Sequence, residues 1–276
     1  MNGTAFAVNL AATLGASLLV MLAAFAVGVR TGRHRGVDVA WGIGFTAVAL
    51  TGYGLSAGHG DDGRRLLATV LVTVWGLRLS AHIGRRSRGA DEDPRYAKML
   101  SRAPAGPRRT WYALRIVYLL QAGLVWFVSL PVQAAQYLPD PLGPLAWAGT
   151  ALWAVGLFFE AVGDRQLSRF KADPANRGRV MDRGLWRYTR HPNYFGDACV
   201  WWGLFLLAAD TPIGWAFVLS PVVMTYLLAF GSGKPMLERQ MGASKPGWAE
   251  YTARTSGFLP LPPRNRPHPP TSGPSR

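Results

Sequence analysis

Apolar residues along this chain come in long blocks rather than in the narrow stripes of a water-soluble domain. Blocks at 4–29, 37–57, 66–83, 111–136, 143–163, 194–209 and 213–231 reach or approach the roughly 20 residues that carry an α-helix across a bilayer. They predict an all-α integral membrane protein with about seven transmembrane helices, the sixth block being the shortest. Residues 1–261 read as one domain without an internal repeat. The end, "PLPPRNRPHPPTSGPSR", is proline-rich and has no apolar period, so 262–276 is expected to be a disordered tail. The 84–110 connection is long for a simple loop. Its "DEDPRYAKML" predicts a short helix with Asp93 as N-cap and Pro94 at the first position.

Composition agrees with this pattern, at 49% hydrophobic and 16% charged residues. The net charge of +15 raises the question of nucleic acid, and its placement answers it. No lysine or arginine precedes Arg30. Arg30, Arg33 and Arg35 follow the first block, and Arg64 and Arg65 lie between the second and third. Eight basic residues, from Arg85 to Arg109, fill the 84–110 loop, and none lies in 137–142. Eight more, from Arg165 to Arg190, fill 164–193; the turn near Asp210 has none, and the segment after Gly231 has seven. Alternate connections are therefore rich and poor in positive charge, as the positive-inside rule requires. This alternation predicts an outside N-terminus, seven crossings and a cytoplasmic C-terminus, and it excludes nucleic acid as a partner. The first block lacks the basic flank of a cleaved signal peptide and is expected to stay as a reverse anchor. Cys199 is the lone cysteine, which excludes an intrachain disulfide and a multi-cysteine zinc site.

Ionisable side chains within such blocks cost about 2.5 kcal/mol or more at the bilayer centre, so they mark function by default. Four sets have helical spacing. Asp38 and Trp41 open the second block, with Phe45 a turn on; Trp75, Arg78 and His82 run along the third. Glu160 and Asp164 end the fifth, and Asn193, Asp197 and Trp201 run along the sixth. Each set shares one helix face. Convergence of those faces would line a polar cavity open to the cytoplasm. Singly, such residues can also snorkel to headgroups.

Arg187, Arg190 and His191 stand directly upstream of Asn193 and Asp197, and arginines beside a helix N-terminus suit phosphate or carboxylate. Carboxylates at Asp164 and Asp197 suit ribose hydroxyls, and Asn193 suits an amide or an adenine edge. The set describes a nucleotide-like ligand whose anionic part faces the cytoplasmic loops. No G-x-G-x-x-G after a strand and no Walker loop occurs, and no His/Asp/Glu grouping has metal-ligand spacing.

At these residues the chain resembles the bacterial membrane proteins grouped with the steroid 5-alpha-reductase family by their C-terminal domain. "RGLWRYTRHPNYFGDACVWWG" is similar to that family's G-L-x-x-Y…N-[FY]-x-G-[DE]…W…G core, and "GWAEYTARTSGFLP" to its closing segment. "DVAWGIGF" and "WGLRLSAHIGRRSRGADEDPRY" resemble the N-terminal half of the uncharacterised bacterial branch, so the resemblance runs from about Asp38 to Pro260. It implies a seven-helix reductase of a bacterial-type plasma membrane that binds NADPH from the cytoplasmic side and reduces an activated C=C bond in a lipid. By the same resemblance, Asp164, Asn193, Tyr194, Asp197, Trp201 and Tyr251 would contact the cofactor, and Lys171 matches a basic position; Arg187, Arg190 and His191 join the expected cofactor set as the basic run directly upstream of Asn193. Arg78 matches a basic position, and Glu160 stands where the steroid enzymes have asparagine. Those enzymes hold the substrate ketone with a glutamate on span two and a tyrosine on span three. Here Asp38 or Trp41 and then Trp75 stand nearest, so Trp41, Trp75 and Arg78 are the expected substrate contacts and no steroid is implied. "RHPNY" also resembles the sterol C14-reductases and the isoprenylcysteine carboxyl methyltransferases. The latter use S-adenosylmethionine and a glutamate near the C-terminus, which Glu238 would mimic.

The leading expectation is hydride transfer from NADPH to the β-carbon of an enone-like lipid and protonation at the α-carbon. A donor must stabilise the charge developing on the carbonyl oxygen, and His82, His191 or a protonated Asp38 are the catalytic candidates. Methyl transfer is the rival chemistry. A lipid carrier or small transporter is the third reading, against which the polar residues gather toward one face rather than the midplane.

Overall fold

The computed structural model describes residues 1–89, 91–231 and 233–264, so most of the expected tail, 265–276, lies outside the described residues. Helix α1 spans Gly3–Thr31, α2 Val37–Leu55, α3 Asp62–Ser87 and α4 Pro94–Leu100. Helix α5 (Pro107–Ala113) continues through a π-helical turn (Leu114–Leu119) into α6 (Leu120–Val128), and α7 spans Leu130–Ala135. Helix α8 (Pro144–Ala172) precedes α9 (Pro192–Ala209), and a 3₁₀ turn, Pro212–Phe217, leads into α10 (Leu219–Ala229). The short helices α11 (Lys234–Ser244) and α12 (Trp248–Arg254) follow. Among the described residues no strand forms; an isolated bridge pairs Thr189 with Ser256.

Helix therefore lies under every predicted block. Among the described residues, five stretches are long and apolar enough to cross a membrane: Gly3–Thr31, Asp62–Ser87, Pro107–Val128, Pro144–Ala172 and Pro212–Ser244. Helices α2 and α9 are not among them. The first carries Asp38 and four glycines, and the second carries Asn193 and Asp197 in its opening turns. The same polar residues that make these helices interesting take them below the hydropathy of a plain span.

Helix α1 shows the solvent for which the chain is built. Its buried residues include Asn9, Thr13 and Ser17, while Val8 and Val27 are each 58% exposed and Leu19 is 70% exposed. A water-soluble helix has the opposite arrangement, with its apolar stripe inward. Here the polar stripe points in because hydrogen bonds wait there. Asn9 Nδ2 and Thr13 Oγ1 donate to Gln133 Oε1 at 3.2 and 2.7 Å, and Ser17 Oγ donates to the Ala122 carbonyl at 2.8 Å.

The chain folds as two compact units. The first comprises Met1–Trp153 and Trp201–Val223, the second Ala154–Val200 and Met224–Arg276. In the first, α2 crosses α3 at glycine. A Cβ on Gly42 would lie 2.1 Å from the Gly76 carbonyl oxygen, and one on Gly76 2.6 Å from that of Gly42. Gly149 of α8 and Gly203 of α9 meet likewise, a Cβ on either lying 2.5 Å from the other's carbonyl oxygen. In the second unit Gly156 and Gly196 repeat the contact at 2.5 Å. Small residues at such crossings let backbones approach where no hydrophobic force drives helices together.

An ion pair holds the loop end of the first unit. Arg64, fully buried, donates from Nε to the Asp140 carbonyl (3.1 Å), from Nη2 to the Pro141 carbonyl (2.7 Å) and from Nη1 to the Leu207 carbonyl. Its Nη2 also pairs with Asp210 Oδ2 at 3.1 Å. Asp210 in turn accepts the backbone N–H groups of Gly143 and Leu145 at 2.9 Å and Ala146 at 3.3 Å, which caps the start of α8. Asp210→Ala strips the cap and strands a buried guanidinium, at an expected cost of about 3–5 kcal/mol. A clear drop in the thermal midpoint of the detergent-purified protein checks this, and an unchanged midpoint refutes it.

Candidate functional site

In the first unit the 84–110 loop folds back onto the start of α2. Glu92 accepts the backbone N–H groups of His34 and of Arg35 and Asp93 (both 2.9 Å). Asp93 then caps α4 by accepting from the Arg95 backbone at 2.8 Å, with Pro94 in the first turn. The short helix is the one that "DEDPRYAKML" predicts, and its function is to aim two side chains. Arg95 Nη2 bridges Asp38 Oδ2 (2.7 Å) and Asp93 Oδ2 (2.8 Å). The Tyr96 hydroxyl donates to Asp38 Oδ1 at 2.5 Å. Tyr96 is 5% exposed, and burial, reinforced by the Asp38 charge, pushes its hydroxyl well above the usual phenol range. It is an O–H donor at every working pH.

The wall beside this cluster is aromatic. Trp41 donates from Nε1 to Gln121 Oε1. Trp41 meets Phe45 at 5.8 Å between centroids, Phe45 meets Trp75 at 5.5 Å and Trp201 at 4.4 Å, and the two tryptophans meet at 5.3 Å. Trp201 is fully buried, with an Nε1–H that finds no acceptor among the described residues. Gln121 follows the π-helical turn, a form that recurs at functional sites. Tyr118, within that turn, lies 2.9 Å from His34 Nδ1. Of the expected substrate and catalytic residues, the structure thus gathers Asp38, Trp41 and Trp75 into one unit, together with Trp201, which was expected as a cofactor contact. Arg78 and His82 sit half-buried one turn apart on α3 of the same unit.

The second unit holds the remaining expected positions. Glu160 and Asp164 are buried on α8, at 2% and 8% exposure, and Lys171 lies exposed near its end. Asn193, Tyr194 and Asp197 are half-buried in the first turns of α9, and Arg187 is exposed in the 3₁₀ turn Gly184–Arg187. Arg190 donates from Nε to Glu238 Oε1 at 2.8 Å and from Nη1 to the Thr252 and Thr255 carbonyls at 3.1 and 2.7 Å. His191 Nε2 lies 3.1 Å from the same Glu238 oxygen, and its ring stacks on Tyr194 at 5.3 Å. The Tyr251 hydroxyl donates to the Trp186 carbonyl at 2.6 Å, which locks the closing segment onto the "GLWRYTRH" run.

Residue-type reasoning passed over Arg95, Tyr96 and Gln121. The signal available for the first two was the helix-start signature inside an over-long loop. Nothing in the sequence singled out Gln121.

The architecture is that of a multi-pass helical membrane protein with two polar clusters, one in each unit. The chain belongs to the family described as protein of unknown function (DUF1295), which matches residues 24–255. It is 25% identical to "Uncharacterized protein C594.04c" of Schizosaccharomyces pombe, over 85% of this chain and 74% of that one. It is 31% identical to the bovine (Bos taurus) 3-oxo-5-alpha-steroid 4-dehydrogenase 1 over 99 residues, which cover 36% of this chain and 37% of the bovine one. No solved structure matches. The bovine similarity relates the chain, distantly and in part, to a membrane oxidoreductase.

His191 gives the site a pH dependence. Burial lowers its pKa below the ordinary value, Glu238 opposes that shift, and Arg190 and Lys234 add to it. The unfolded chain therefore binds the proton more readily, and stability falls as pH drops below about 6.5. Thermal midpoints between about pH 5 and 7.5 should show this acid-side loss, and His191→Gln should flatten it. An equal loss in both proteins would assign it elsewhere.

Proposed function

We propose that the chain is a membrane-embedded reductase of an activated C=C bond in an enone-like lipid. The Tyr96–Asp38 pair carries the reading: a buried hydroxyl held by a carboxylate, next to an aromatic wall, in a chain related to a 3-oxo-steroid enzyme. In this reading all seven helical blocks cross the membrane, with the N-terminus outside and the cofactor side cytoplasmic. NADPH, when bound, supplies the hydride to the β-carbon.

The residues present suit that cofactor. Arg187 makes no ion pair among the described residues and offers its guanidinium fork to a phosphate. Asp164 and Asp197 bring carboxylates that suit ribose hydroxyls, and Asn193 brings an amide. The protein's own chemistry lies at the carbonyl end of the lipid. A carbonyl oxygen that replaces Asp38 as acceptor receives the Tyr96 O–H, which stabilises the negative charge developing there. Arg95 keeps Asp38 paired during the exchange. The raised pKa of Tyr96 suits it to donating a hydrogen bond rather than the proton itself. The α-carbon proton then comes from another group, for which His82 and His191 remain the proposed donors.

A second reading keeps a specific observation in its favour. Arg190 and His191 of "RHPNY" both engage Glu238. The methyltransferases that share the Arg-His-Pro run also have a glutamate near the C-terminus, so S-adenosylmethionine is the alternative ligand.

The purified protein should be stabilised by NADPH, by about 2.7 kcal/mol at 100 times Kd, and Asp197→Ala should lose that response. Stabilisation by S-adenosylmethionine alone would sink the reductase and establish the alternative. With an enone lipid, Tyr96→Phe should lower kcat about 100-fold while leaving stabilisation by NADPH intact. An unaltered rate of NADPH oxidation would remove Tyr96 from the chemistry.

A further inference from the structure

A cleft of about 230 Å³ opens in the second unit between the "RYTRH" run and the closing segment. Arg190, Arg254 and Arg264 stand on its walls with Thr252, Thr255 and Ser256, and among the described residues no aspartate or glutamate lines it. Two of the arginines have partners. Arg254 pairs with Asp182 and approaches Glu250 at 4.0 Å, and Arg190 pairs with Glu238. Arg264 makes no ion pair among the described residues, and its backbone N–H ties it to the Arg254 carbonyl at 2.9 Å.

A fourth cation approaches the same rim. A Cβ on Gly257 would lie 2.7 Å from Lys234 Nζ and 3.0 Å from Arg190 Nη2. The missing side chain thus leaves two cationic nitrogens converging on one spot. Neither makes a hydrogen bond among the described residues, since Arg190 uses Nε and Nη1 for its own contacts. Two cationic groups facing one spot favour an anion there. Guanidinium forks and an ammonium arriving from several directions match a tetrahedral, many-oxygen anion better than a flat carboxylate.

We infer that this cleft binds a phosphate-bearing anion, either a phospholipid headgroup or a free phosphate. The inference stands whether or not the chain is a reductase, and Arg190 is the residue that it shares with the proposed cofactor set.

The test uses the full chain with two substitutions outside the cofactor set, Arg264→Gln and Gly257→Ala. The atoms nearest the new methyl of Gly257→Ala are the flexible ends of Lys234 and Arg190, so folding should be preserved. One arm titrates inorganic phosphate, at constant ionic strength, against protein in an uncharged detergent. The other compares nanodiscs of phosphatidylcholine with nanodiscs containing phosphatidylglycerol. Thermal midpoint is read in both. Saturable stabilisation in either arm, weakened about tenfold in apparent affinity by Arg264→Gln and reduced by Gly257→Ala, supports the site; the responding arm identifies the source. Absence of a saturable response in both arms, or one that neither substitution alters, overturns it. NADPH is titrated alongside. An NADPH response unchanged in Arg264→Gln keeps the cleft apart from the cofactor. A parallel loss would make it part of that site and overturn the inference.

Discussion

A backbone amide or carbonyl without a partner costs several kcal/mol in apolar surroundings, and this chain breaks its helices many times. The structure answers the breaks with side chains brought from elsewhere. Arg64 collects three carbonyls from the connection before α8 and the end of α9. Asp210 collects three amides at the head of α8, and Glu92 collects three around the start of α2 and α4. Gln136, just past α7, donates to the Ala49 carbonyl and to Thr69 Oγ1 at 2.8 Å each. These polar residues do structural work first, and the candidate site sits where one such closure, that of Glu92 and α4, presents Tyr96 to Asp38.

The packing follows from the same solvent. With apolar side chains already content in lipid, contact between helices depends on close backbones and shared polar groups. Helices α2 and α3 meet glycine to glycine, and α1 turns Asn9, Thr13 and Ser17 inward toward Gln133 and Ala122. The aromatic wall is the large-residue counterpart: Phe45, Trp75 and Trp201 fill the first unit where glycines do not.

What the sequence made legible was local. Apolar blocks located the helices, the Asp-Pro signature located α4, and the i, i+4 spacing of Asn193 and Asp197 placed them on one helix. Number of crossings was harder, because Asp38 and the polar head of α9 dilute the very hydropathy that marks a span. Pairings across the chain stayed hidden. Tyr96 reaches Asp38 over 58 residues, Arg190 reaches Glu238 over 48, and Asn9 reaches Gln133 over 124. Helical periodicity says which residues share a face, and says nothing of which loop folds back to meet it. Arg64 and Arg65, in the first turn of α3, illustrate the limit: counted as loop charge, both are buried in side-chain and carbonyl contacts.

The π-helical turn at Leu114–Leu119 behaves as one residue too many in an otherwise ordinary helix. Each residue of an α-helix advances about 100°, so removing one here would swing everything downstream by that angle. Gln121 would leave Trp41, and Ser17 would lose the Ala122 carbonyl. The spare residue is thus a gear tooth that sets the phase between the two halves of the helix. A one-residue gap at this point would leave a differently aimed wall on the same scaffold.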